Sequence, residues 1–228
     1  MHAFVPVRGG FAARLEQAER TVLSRLVADT AELLGTRLTD AGSGAGAAEG
    51  GPDLPEVPGP ADGPQNGDDA VLAALDFEPA ADAVPDAPAD PALARLLPPM
   101  SHDDPKLSAE LRALTESSLR AGKVSRLETV WRELRVPAGA QGAVVVRAGQ
   151  EGAWLAALTD VRLVLAARLG IEDEADAEEV YARSRPGRDR DADEDRDEVD
   201  DALATMYAAL TWWQESLLEA MLRKRRGR

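Results

Sequence analysis

The residues that usually perform chemistry are scarce in this chain. It has two histidines and no cysteine in 228 residues. Without cysteine there is no disulfide, no thiolate metal site and no sulfur nucleophile or redox switch within the chain. His2 and His102 stand far apart, so no zinc site of ordinary ligand type can be assembled. The glycine-rich run AGSGAGAAEGG (41–51) lacks the Lys-Ser/Thr that completes a phosphate loop. Serines and threonines occur without a general base beside them. The expectation is therefore no catalytic residue, no metal, no cofactor and no enzyme.

What remains is polar chemistry set inside apolar helices. LTDVRLVL carries Asp160 and Arg162, and LTWWQESLL carries Gln214 and Glu215. Charges inside such runs lie at a surface or are buried and paired. Asp160, Arg162, Gln214 and Glu215 are read first as a structural polar link between two helices, and second as a ligand or partner site. Trp212 and Trp213 are adjacent in a chain with only four tryptophans. At about 100° per residue, Trp213 shares a stripe with Leu203, Tyr207, Leu210, Gln214, Leu217 and Met221 and faces a core. Trp212 lies on the opposite side with Glu215 and Glu219. Either a second element covers it, the commoner fate of tryptophan, or Trp212, Glu215 and Glu219 form a partner-binding face. The tail RKRRGR adds Arg223, Lys224, Arg225, Arg226 and Arg228 as phosphate contacts, or as cations that complement the helix dipole.

The elements that must hold these residues are mostly helices. AFVPV (3–7) and FAARL (11–15) flank Arg8-Gly9-Gly10 as a β-hairpin. A helix follows to about Leu38, with Ala18, Val22, Leu26, Leu33 and Leu34 on one face. Residues 1–39 thus form the N-terminal part of the core. Residues 40–89 are rich in Ala, Gly, Pro and Asp and read as a disordered linker, with VLAALDF (71–77) as a short ordered piece. The helical core resumes at 90–171. Asp90 caps a short helix with Pro91 in its first turn, and Pro98-Pro99 ends it. A helix with Leu107, Leu111, Leu114 and Leu119 breaks at Gly122, and another follows with Leu127, Val130, Trp131 and Leu134. AVVVR (143–147) is a strand, running into a helix with Trp154, Leu155, Leu158, Leu165 and Leu169 that Gly170 terminates.

Glu172 to Asp201 holds fifteen acidic and five basic residues, and so most of the chain's net charge of −15. Like charges at this density repel, and 172–200 reads as a solvated acidic loop, with mimicry of nucleic acid as the sharper reading. A C-terminal core helix spans 201–224, and 225–228 is a basic tail. No apolar run reaches membrane-spanning length, and MHAFVPVRGG lacks the layout of a signal peptide, so the expected location is cytoplasmic. The fold class is mainly α with a small β component: one helical domain, an N-terminal hairpin and two disordered inserts.

Four segments carry a family resemblance in their order: DPALARLLP, LRALTESSLRAGK, AWLAALTDVRLVLAARLGI and YAALTWWQESL. Together with the N-terminal hairpin and helix, they resemble the actinobacterial AosR-type regulators, long catalogued as a domain of unknown function and encoded beside the ClpS protease adaptor and a cysteine-biosynthesis cluster. The resemblance implies a regulator of transcription in oxidative stress and cysteine metabolism, acting with RNA polymerase sigma factors and promoter DNA. Its gene neighbourhood supplies the alternative, an adaptor or scaffold in ClpS-linked proteolysis. Trp212 matches the family's tryptophan, whereas Trp213 stands where leucine is usual. Disulfide-based sensing cannot carry over to a chain without cysteine. The expected partner is a protein, DNA contact is weak, and no membrane is involved.

Overall fold

The computed structural model describes residues 1–39, 88–101, 103–184 and 198–226. Its elements belong to one compact unit of Met1–Leu38 and Asp86–Arg228. Most of the linker assigned to 40–89, including 71–77, lies outside the described residues.

The hairpin forms as the sequence predicts: β1 (Val5–Val7) and β2 (Gly10–Ala13) run antiparallel, joined at Arg8-Gly9. Gly9 takes a positive φ of 85°, which an L side chain resists. Gly10 is required for a second reason: a Cβ there would sit 2.0 Å from the Val146 carbonyl oxygen. That oxygen belongs to β3 (Val144–Arg147), which pairs antiparallel with β2 on its other side. The strand order is β1-β2-β3, so a segment 130 residues downstream completes the sheet.

Around the sheet pack α1 (Gln17–Leu33), α2 (Pro91–Leu96), α3 (Pro105–Arg135), α4 (Glu151–Arg168), α5 (Glu174–Arg183) and α6 (Glu198–Arg226). Capping explains several boundaries. Asp90 accepts from the backbone N–H groups of Ala92 and Leu93 at 2.7 and 3.2 Å, and Pro91 opens α2. Asp104 does the same for α3. Gly170, at φ 68°, ends α4. The core contains Phe4, Phe11, Leu127, Trp154, Leu158, Leu210, Trp213 and Leu217, all almost wholly buried. Each such side chain contributes roughly 1.5–3 kcal/mol on leaving water.

Five expectations are corrected. α1 ends at Leu33, short of Leu38, because Gly35 at φ 85° turns the chain. Its buried face is Leu23, Val27 and Ala31, and Val22 is exposed. α3 runs unbroken for 31 residues through Gly122. A glycine costs a helix interior about 1 kcal/mol, which the packing of Leu127, Val130, Trp131 and Leu134 outweighs. Of the leucine stripe read in its first half, Leu107 and Leu114 are exposed, while Leu111 and Leu119 are half-buried and Leu119 packs against the core. Lastly, the acidic stretch contains α5. Asp173 caps it, with Asp176 returning the bond in a reciprocal capping box, and Val180 inserts fully into the core. Carboxylates in its first turn also suit the positive end of the helix dipole.

Candidate functional site

The polar link between α4 and α6 exists, with different members from those expected. Arg162 donates to Gln214 Oε1 at 2.9 Å, and Gln214 Nε2 reaches Thr159 Oγ1 at 2.8 Å and the Leu155 carbonyl at 3.2 Å. The Arg162 guanidinium also lies 5.3 Å from the centre of the Tyr207 ring. Asp160 takes no part. It points to α3, where Lys123 donates to its carboxylate at 2.5 Å, and the pair is buried. Residues 160 and 162 are two apart on a helix and diverge, so they cannot serve one partner. Glu215 is exposed and also stands outside the link. Sequence reasoning missed Lys123, although one of only three lysines in an arginine-dominated chain was the available signal.

A second buried carboxylate is structural. Glu133 accepts from the backbone N–H groups of Ala138 and Val145 at 2.9 and 2.8 Å, tying α3 to the outer edge of β3. No group of three or more His, Cys, Asp or Glu converges among the described residues. A shallow cleft with only about 10 Å³ of internal space lies between α2 and α3, lined by Leu97, Met100, Arg112, Glu116 and Leu119. Its charged groups are already engaged: Arg112 and Glu116 stand 3.7 Å apart.

The tryptophan pair divides its labour. Trp213 is fully buried, stacked on Phe4 at 4.8 Å between centres and edge-on to Trp154 at 6.1 Å. Trp212 is 46% exposed, and among the described residues no second element covers it. Glu215 and Glu219 are exposed on the same side. A large aromatic flanked by carboxylates can anchor a partner that presents an apolar cleft with cations on its rim.

The far end of α6 is basic, and tertiary structure enlarges it. Lys224 donates to the Gly10 carbonyl at 3.3 Å and lies 4.6 Å from the centre of the Phe11 ring. Gly10 is opposite Arg147 in the sheet and follows the hairpin turn that carries Arg8. Arg8 and Arg147, both exposed, thus join Arg223, Lys224, Arg225 and Arg226 at one end of the molecule. Arg223 is partly committed to Glu219 at 3.9 Å. Arg228 lies outside the described residues. Arg8 and Arg147 carry no local signal, because only the β-ladder brings them to the tail.

This arrangement, with its hairpin, β3 and the WW helix, coincides with one family, described as a domain of unknown function (DUF2017), whose profile matches residues 1–221. The chain belongs to that family. The match takes in the hairpin, β3, the first five helices and the last helix as far as Met221, and so the Trp212 face. No curated protein and no solved structure matches the chain. Among the described residues, no helix is long and apolar enough to cross a membrane.

Proposed function

We propose that this chain is a non-enzymatic, cytoplasmic regulator of transcription of the AosR-type kind, acting by docking on a protein of the transcription machinery. The observation that carries the reading is Trp212: nearly half exposed on a rigid helix, flanked by Glu215 and Glu219, beside a fully buried neighbour. An exposed tryptophan fixed by the core costs little ordering entropy on binding and fits the composition of interface hot spots. RNA polymerase and sigma subunits, which carry basic surfaces for DNA, supply the complementary charge. The cations at the other end of α6 support a weak, sequence-indifferent contact with nearby DNA phosphate.

The deciding experiment is a pull-down from the native host with wild-type and Trp212→Ala chains. Sigma factor or polymerase subunits retained by the wild type and lost by the variant support the reading. Retention of ClpS or protease components instead would move the chain to regulated proteolysis. Iodide should quench Trp212 fluorescence in the free chain and lose access once the captured subunit is added.

A further inference from the structure

The last helix bears a second exposed strip, offset from Trp212. Glu215, Leu218, Leu222 and Arg225 recur at steps of three, four and three, the spacing of a coiled-coil seam. At about 100° per residue they fall within an arc of roughly 80°, centred roughly 150° from Trp213, Leu217 and Ala220 on the buried side. Leu218 is 43% and Leu222 54% exposed. Glu215 and Arg225 are exposed and have no ion-pair partner among the described residues.

We infer that this strip is a self-pairing surface on which a second copy of the chain packs antiparallel. The strip is its own complement under one operation only. A two-fold axis crossing the helix at residue 220 sets Leu218 against Leu222 of the second copy and Glu215 against Arg225 of the second copy, twice over. These are the layers that seam positions form in an antiparallel pair, and the interface is isologous, as a two-fold dimer demands. A parallel pairing would set Glu215 on Glu215 and Arg225 on Arg225, which like charge disfavours. The contact spans about 15 Å of helix and four layers, well short of a standard interface, so association follows protein concentration. The inference goes beyond the partner reading and does not depend on it. Trp212 lies outside the seam, and only Glu215 belongs to both faces.

The experiment needs only purified full-length chains and sedimentation velocity over a concentration series. Wild type should rise from the monomer mass towards twice that value, less so in high salt. Glu215→Arg and Arg225→Glu should each remain monomeric, since each sets two like pairs together. Mixed in equal amounts, they should associate again, because the mixed pair restores both opposite-charge contacts. Leu218→Lys should abolish association with or without a mate, whereas Trp212→Ala should leave it unchanged. All four residues are exposed, so the helical circular dichroism of each variant serves as its folding control. A wild type that stays monomeric throughout the series, or singles that associate as well alone as together, overturns the proposal.

Discussion

Trp213→Ala should be among the most damaging single substitutions in this chain, and Trp212→Ala among the mildest at a tryptophan. Trp213 has no exposed surface, and it closes a triangle with Phe4 and Trp154 that ties the first strand to the last helix. Removing a fully buried Trp side chain costs about 3–5 kcal/mol in lost transfer energy and cavity formation. Each aromatic pair adds about 0.5–1.5 kcal/mol beyond burial, and two would be lost. No hydrogen bond goes with them, because the Trp213 indole N–H has no acceptor among the described residues. The upper part of the range, about 4–5 kcal/mol, is the expectation, against a total stability of about 5–15 kcal/mol for a domain. Trp212 keeps nearly half its surface in water, and its truncation should cost about 1 kcal/mol or less. Urea unfolding followed by far-ultraviolet circular dichroism measures both. With a slope near 2 kcal/mol per molar, Trp213→Ala should lower the midpoint by about 2 M and Trp212→Ala by under 0.5 M. Equal losses in the two variants, or a Trp213→Ala chain as stable as wild type, would refute the division of roles on which the docking face rests.

Lys123→Met should destabilise by about 3–5 kcal/mol, because it strands the Asp160 carboxylate in the core, and adding Asp160→Leu should recover much of that loss in a thermal melt. Stability should decline in acid through two carboxyls held below their usual range. For Asp90 the main cause is the hydrogen bond from Arg168, which with the N–H groups of Leu93 and Ala92 outweighs the upward push of burial. For Glu19 burial pushes upward, but the Met1 ammonium and the Glu16 N–H outweigh it. Depressed groups stabilise the fold above their unfolded pKa and cease to do so as pH falls through the folded one, so Asp90→Asn should flatten the stability profile below about pH 4. DNA binding by the basic end should be indifferent to sequence, and fluorescence anisotropy should show Arg8→Ala with Arg147→Ala lowering the salt slope by up to about two. An unchanged slope would remove both arginines from the contact.

How much of this could be read from the sequence depends on whether a residue's partner was local. Asp90-Pro91, Gly170 and the 3.6-residue stripe of Trp213 and Leu217 are signals within one turn, and the structure follows them. The strand at AVVVR was legible, but not its place beside β2, since nothing in either strand names a mate so far along the chain. Composition misled at 172–184; residues 185–197 of the acidic stretch lie outside the described residues. Charge density suggested a solvated loop, while two small signals, the Asp173/Asp176 cap and the apolar Val180-Tyr181, were enough to dock α5. The same local logic broke α3 at Gly122 and set Asp160 beside Arg162. In both cases tertiary packing decided otherwise: a helix long enough to span several neighbours, and a lysine on α3 that lies 37 positions earlier in the chain. The docking face was legible as a list of residues. Whether Trp212 was covered was not, because that depends on the absence of a neighbour.

The triangle of Phe4, Trp154 and Trp213 also sets a timetable for synthesis. At about 5–20 residues per second, a ribosome needs roughly 10–40 s to pass from the fourth codon to the 213th. Until residue 147 is made the hairpin has no β3 beside it, and until the last helix is made Phe4 lacks the Trp213 ring that stacks on it. A nascent chain with two uncovered aromatics on a two-stranded ribbon is marginal alone and attractive to chaperones. Messages cut short before Trp213 would leave Phe4 without that ring permanently. The cell's proteases would then clear incomplete copies by the same aromatic surface that a finished chain conceals.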